Sequence, residues 1–261
     1  MARSSLKNIA RLIDVEKDLM KPEQAFLNDL KRSIELEDEK NARKPSQTYK
    51  PSGMNCMRAS YYEITGKQQD ENTTSYTLIG ICNAGSDIHI RIQTAVDKMK
   101  DSGMDCEYVD VAEYIKARKL KNIEIRSKNG METKLYHKKF NMSFMCDGII
   151  RYKGKYYILE LKTESSNKFW SRAGVDANHY KQATAYSIAL EIDEVLFVYI
   201  SRDTLDMKSF MFVPTDDMKQ DLVGYIDTCD SYIKKLTVPP KEINNKTCGY
   251  CKYKNQCRKD G

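Results

Sequence analysis

Apolar positions recur in this chain with two different periods, and the changes of period mark its elements. Over 22–44, PEQAFLNDLKRSIELEDEKNARK, Phe26, Leu30 and Ile34 fall at i, i+4 and i+8, one stripe of an amphipathic helix. Pro22 suits the first position of that helix, so 1–43 reads as two helices broken at Lys21–Pro22. The stripe needs cover, either from the chain's own core or from a docked partner. KPSQTYKPSG (44–53) is a loop, NCMRASYYEITG (55–66) a short helix ending at Gly66, and KQQDENTT a polar loop. A long helix is predicted from Tyr76 to Lys100, with Ile81, Ile88, Ile92, Val96 and Met99 as its stripe, and 109–119 is helical again. From Asn122 the period switches to two: NIEIRSK and METKLYH, with Gly130 at the turn between them. They lead into FMCDGIIRYKGKYYILELKT (144–163), two strands joined at Lys153–Gly154, so 122–163 is predicted to be one antiparallel meander. TESSNKFWSRAG is a loop carrying Phe169 and Trp170. A helix over 176–190, strands at 194–202 and SFMFVP, and a helix over 216–236 closed by Pro239–Pro240 complete the order. Strands and helices mixed in this way predict an α/β fold with a mixed central sheet, not a doubly wound parallel one.

The hairpin at 144–163 places chemistry. With a symmetric two-residue loop, Tyr152 faces Lys155 and Asp147 faces Glu160. Directly opposed Cβ atoms lie about 4.5–5.5 Å apart. Glu160 and Lys162, two residues apart, share a face. Ile149, Ile150, Ile158, Leu159 and Leu161 surround them, and the second strand is apolar on both faces, as a central strand is. Two carboxylates in such a sheet need neutralising. A hard divalent cation, Mg²⁺ or Mn²⁺, suits carboxylate oxygen. The bland reading of the same three residues is a surface hairpin with a salt bridge.

Asp147 followed by Glu160-Leu161-Lys162 resembles the D…(D/E)-x-K core of the PD-(D/E)XK nuclease superfamily. Gly85 and His89 stand at i and i+4 on one helix face, and Gly inside a helix suggests close approach of a neighbouring backbone. This G-x-x-x-H spacing, and Gln182 with Tyr186 as Q-x-x-x-Y, resemble the flanking motifs of RecB-type nucleases. On its own His89 reads as a core histidine, and Gln182 with Tyr186 as a solvated polar face. The resemblance implies a restriction-endonuclease-like core. It makes His89, Asp147, Glu160 and the backbone carbonyl of Leu161 ligands for one or two Mg²⁺ or Mn²⁺ ions. Lys162 would then position water and stabilise developing charge, Gln182 would orient a phosphate or the lysine, and Tyr186 would contact the nucleic-acid backbone.

The tail reads TCGYCKYKNQC, which places Cys248, Cys251 and Cys257 as C-x2-C-x5-C. Three close thiolates imply a metal site one ligand short. Cys56, Cys82, Cys106, Cys146 and Cys229 are the candidates for the fourth. The arrangement resembles the iron–sulfur nucleases, namely the CRISPR-associated RecB-like exonucleases and the nuclease domain of AddB. The C-x-R…Y context of Cys56, Arg58 and Tyr61–Tyr62 also matches theirs. That resemblance implies a [4Fe–4S] cluster on Cys56, Cys248, Cys251 and Cys257, with zinc as the alternative metal. It divides the chain into an N-terminal helical extension (1–54) without a motif, a nuclease core (55–240) and a cysteine segment (241–261) packing back on Cys56. Cys82, Cys106, Cys146 and Cys229 then read as buried apolar residues.

Composition narrows the partners. Lys and Arg number 43 against 37 Asp and Glu, a net charge of +6 that is compatible with a polyanion. No apolar run spans a bilayer, and MARSSLKNIARLIDVEKD has no apolar h-region, so a cytoplasmic protein of a bacterial or phage-infected cell is expected. Eight cysteines without a secretion signal point to metal or thiols, not disulfides. No phosphate-binding G-x-x-x-x-G-K-[ST] loop occurs, so no motor is expected. The expectation is a metal-dependent DNA exonuclease for recombination, repair or phage DNA processing, acting on single strands or duplex ends, with an oligomer open. The alternatives are a non-catalytic iron–sulfur nucleic-acid-binding module and a redox sensor.

Overall fold

Lys153 and Gly154 both take positive φ, 49° and 77°, as a two-residue type I′ turn requires. The turn pairs strand β5 (Gly148–Tyr152) with β6 (Lys155–Glu164) from Tyr152↔Lys155 to Gly148↔Leu159, the register read from the sequence. On its other edge β6 runs parallel to β7 (Val195–Ser201), which pairs antiparallel with β8 (Met207–Phe212). A strand of four residues, β1 (Cys106–Val109), closes the far edge of β5. The sheet order β1-β5-β6-β7-β8 makes β6 central and the sheet mixed. This computed structural model describes residues 21–41, 44–70, 74–129, 131–242 and 248–261.

Helices cover both faces. Alternation along β6 sends Leu159 and Leu161 to one side. There they pack with Ile150, Ile200 and Ile88, against which Ile92 and Val96 also lie; Ile88, Ile92 and Val96 belong to helix α3 (Tyr76–Asp97). Ile158 faces the other side, with Ile149, Val195, Phe197 and Tyr199 under helices α6 (Tyr180–Leu190) and α7 (Asp216–Lys234). Ile149, Ile158 and Leu161 are fully buried, each worth about 1.5–3 kcal/mol relative to exposure. The result is a mixed α/β architecture with a helix-flanked central sheet, the arrangement of a restriction-endonuclease-like core.

Several elements depart from expectation. The meander is interrupted: β2 (Ile123–Asn129), β3 (Glu132–His137) and β4 (Met142–Phe144) form a separate three-stranded sheet. The chain leaves that ladder at 145–147, where Cys146 is buried, and β1 takes the edge of β5 instead. Helix α4 (Val111–Arg118) links β1 to the small sheet, capped by Asp110 accepting from Glu113 N–H at 3.0 Å. The expected loop after β6 contains a short helix, α5 (Ser166–Trp170).

The described residues fall into two compact units, those within 1–43 and 72–83 and those within 44–71 and 84–261. In the first, helix α1 (Pro22–Lys40) starts at proline as expected, and among the described residues Phe26, Leu30 and Ile34 are 68 %, 45 % and 37 % exposed. The helix expected before Lys21 lies outside the described residues. The second unit begins earlier than residue 55, because Tyr49 bridges Met142 of β4 and both Tyr49 and Met54 are buried. It also contains helix α2 (Met57–Ile64) and the C-terminal helix α8 (Lys254–Lys259). Among the described residues no helix is long and apolar enough to cross a membrane.

Candidate active site

Pairing between β5 and β6 ends at Gly148↔Leu159, one residue short of the two acids. Released from the ladder, Asp147 turns its carboxylate across the gap, and Oδ2 accepts from Leu161 N–H at 2.6 Å. Oδ1 contacts His89 Nδ1 at 2.9 Å. In an extended strand a residue's N–H and C=O lie on the same side, so the Leu161 carbonyl also faces away from β7 toward Asp147. Glu160 Oε1 accepts from Lys162 Nζ and from Gln182 Nε2, both at 2.7 Å. Lys162 Nζ also donates to Gln182 Oε1 at 3.1 Å. Of the two roles expected for Gln182, its contacts are those with the lysine.

Tyr186 takes a different place from the one expected. Its ring is 3 % exposed and its hydroxyl donates to Met145 C=O at 2.6 Å while accepting from Gln182 Nε2 at 2.8 Å. A side chain buried under α6 does not meet a nucleic-acid backbone; it anchors Gln182. Gly85 is explained by its surroundings, since a Cβ there would lie 3.0 Å from Thr163 Oγ1. The crowding neighbour is a side-chain hydroxyl, not backbone.

Two residues that sequence reasoning missed hold the other end of Asp147. Its backbone carbonyl accepts from Gln93 Nε2 at 2.7 Å and from Tyr108 O–H at 2.6 Å. Gln93, one turn beyond His89 on α3, is 1 % exposed. Gly148 makes room for Tyr108, because a Cβ there would come within 2.6 Å of the phenol oxygen. The available signal was the G-x-x-x-H-x-x-x-Q run of Gly85, His89 and Gln93, which extends one helix face by a turn.

Electrostatics mark Glu160 as the strained member. Burial pushes its carboxyl up, to about 7, while Lys162 pulls it down and Asp147 raises it further. Burial would lower His89, but the hydrogen bond and charge of Asp147 hold it above its ordinary value. Among the described residues, Glu160 Oε2 is buried without a hydrogen-bond partner, a state that buried polar atoms rarely keep. Two carboxylates, an imidazole and a carbonyl form a hard donor set that fits Mg²⁺ or Mn²⁺. Among the described residues no three His, Cys, Asp or Glu side chains are drawn together tightly enough to close round an ion. Protein groups occupy those positions instead: His89 binds Asp147, and Lys162 binds Glu160.

Far from the sheet centre, Cys56, Cys248, Cys251 and Cys257 line one cavity of about 240 Å³ with Arg58 and Tyr253. Several protein contacts hold the tail there. Arg58, 5 % exposed, donates to the carbonyls of Pro239 (2.8 Å), Cys257 (3.2 Å) and Gly261 (3.1 Å). Tyr62 O–H binds Asp260 at 2.6 Å and Tyr253 O–H binds Glu63 at 2.5 Å. Burial pushes the Cys56 and Cys251 thiols up, and the neighbouring thiols add to it. The other cysteines divide: Cys106, Cys146 and Cys229 are buried as expected, whereas Cys82 is exposed.

No protein family matches the sequence, and no curated protein does. Among solved structures, the crystal structure of SSO0001 superposes with a TM-score of 0.48 at 17 % identity, covering 91 % of this chain and 98 % of that one. The alkaline exonuclease LHK-Exo from Laribacter hongkongensis gives 0.45 at 9 % identity, over 74 % and 92 %. LHK-Exo in complex with dAMP gives 0.41 at 10 % identity, over 73 % and 89 %. Similarity at this level speaks to neither activity nor substrate.

Proposed function

We propose that this chain is a metal-dependent nuclease that hydrolyses phosphodiester bonds of DNA from an end. The observation that carries the reading is Glu160: a buried carboxylate, one oxygen without a partner, beside Asp147 and Lys162 where β5 leaves the ladder. A carboxylate kept for packing alone would cost stability at that place. Asp147, Glu160, His89 and the Leu161 carbonyl would hold Mg²⁺ or Mn²⁺. Bound there, the ion supplies acidification of water and neutralisation of phosphate charge. Lys162, held between Glu160 and Gln182, presents its ammonium to the charge that develops on the phosphate. Gln182 fixes the rotamers of both partners, and Tyr186 fixes Gln182. His89 orients Asp147. Action from an end rests on the resemblance of the motifs to RecB-type exonucleases.

The same resemblance, together with the shared cavity, supports a [4Fe–4S] cluster on Cys56, Cys248, Cys251 and Cys257. Anaerobically purified protein is expected to be brown, with about four irons per chain as such a cluster requires. Colourless protein with stoichiometric zinc would overturn the iron and leave the ligands standing.

The deciding experiment for activity is digestion of end-labelled and circular DNA, single- and double-stranded, with Mn²⁺ and with a chelator. Linear ends should be degraded, circles spared and the chelator inhibitory. Absence of Mn²⁺-dependent cleavage on every substrate would sink the proposal.

A further inference from the structure

Beyond Lys162, β6 carries one more carboxylate on the same face, and the segment after it is braced from several sides. Glu164 and Arg172 form a two-pronged ion pair at 2.5 and 2.7 Å, both side chains 6 % exposed. Arg172 lies 4.0 Å from the centre of the Tyr199 ring. Lys208 Nζ donates to the carbonyls of Phe169 (2.9 Å), Trp170 (3.3 Å) and Arg172 (3.2 Å). Ser166 binds Asp203 Oδ2 through its N–H at 2.9 Å and its hydroxyl at 2.6 Å. Phe169 is buried in the core. Helix α5 is therefore pinned at both ends and from beneath, yet Trp170, the chain's one tryptophan, is 60 % exposed.

A scattered exposed apolar side chain needs no explanation. This one differs in its support. Buried ion pairs contribute little net stability, and a surface turn needs no such bracing to exist. The bracing fixes the backbone that carries a large flat ring outside the core, and the ring of Phe169 packs edge-on against it at 5.1 Å, so less ordering is needed when something lies against it. Lys208, 5.5 Å from the indole centre, has all its donors engaged on carbonyls and acts as a strut. An aromatic face held next to a cation is suited to stacking with an unpaired nucleobase. The segment that carries the ring follows directly on the acid-bearing strand: at about 3.3 Å per residue, the end of β6 at Glu164 lies about 13 Å beyond Glu160.

We propose that Trp170 is a stacking platform for an unpaired base of the strand being cut. The proposal rests on the nuclease reading and deepens it, because a base inside a duplex has both faces covered and only a single strand or frayed end offers one. Since the chain has one tryptophan, its fluorescence reports the contact directly. With chelator present to prevent cleavage, a homothymidine single strand should quench the emission to saturation, and the same length of blunt duplex should quench it far less. Trp170→Ala should weaken binding of a labelled single strand about 5- to 140-fold, the range that loss of one stacked base gives, and Trp170→Phe should restore most of it. Binding without quenching, with Trp170→Ala as tight as wild type, overturns the platform while leaving Mn²⁺-dependent cleavage and the nuclease reading intact. Equal effects on single strand and blunt duplex overturn the preference for an unpaired base. No binding and no cleavage of any DNA removes the nuclease reading and this proposal with it.

Discussion

Glu160 and Lys162 sit on the central strand and Gln182 on a helix, held by ladder bonds and apolar flanks, with Asp147 just before the start of β5. Cys56, Cys248, Cys251 and Cys257 sit where a terminal segment docks on α2, held there by Arg58, Tyr62 and Tyr253. In the first cluster each group already has a protein partner except one carboxylate oxygen. In the second the thiols face a shared space. Removing a side chain from the sheet cluster should change chemistry and spare the fold. Removing one from the docked cluster should change the fold's coherence first.

The largest expected effect is at Lys162. Lys162→Ala should lower cleavage at least about 100-fold, the scale for losing a group that stabilises transition-state charge, while the melting temperature and DNA affinity stay near wild type. Near-normal turnover would take Lys162 out of the chemistry. Next is Arg58→Ala, which strands three carbonyl acceptors and should cost about 3 kcal/mol, read as a lower denaturation midpoint with loss of bound metal. Cys56→Ala and Cys257→Ala should share that loss and Cys106→Ala should not; retention of metal by Cys56→Ala would place the fourth ligand elsewhere. A smaller effect belongs to Tyr108→Phe, which removes one of two donors to the Asp147 carbonyl. Mn²⁺ affinity, followed by paramagnetic resonance, should fall about tenfold, and an unchanged affinity would make Tyr108 a packing residue only.

The smallest effect concerns pH. Burial raises Glu63, but hydrogen bonds from Lys50, Ser46 and Tyr253 outweigh it and hold the carboxyl at about 2. Its folded value is thus depressed below the ordinary range of a glutamate. The stability it contributes is complete above that range and is lost as pH falls through the folded value. Hydrogen exchange between pH 5 and 2 should therefore open the 248–261 segment before the sheet; simultaneous opening would contradict the separation of the two clusters.

The hairpin was legible because strand alternation allows only two phases and Lys153–Gly154 set the turn, so the register followed by counting. The convergence of Asp147, Glu160 and Lys162 followed from that register, whereas His89 and Gln182 were joined to them only by the resemblance of their spacings to RecB-type motifs. The clamp of Gln93 and Tyr108 was hidden because it acts on a backbone carbonyl, and any donor of the right length serves. β1 escaped notice because four residues, CEYV, carry too short a pattern, and this same strand delivers Tyr108. Phe169 and Trp170 could not be told apart by composition; the backbone of α5 decides which ring turns inward.

The split of the cysteines has a consequence for how the molecule is made. Translation at about 5–20 residues per second leaves Cys56 waiting about 10 to 40 s for the roughly 190 residues that precede Cys248. During that interval β5 through β8 and α6 can assemble, since every residue of the acid cluster has already been synthesised. The four thiols are all present only once Cys257 has been made, so a cofactor that needs all four is loaded on a chain in which every strand of the sheet has already been synthesised.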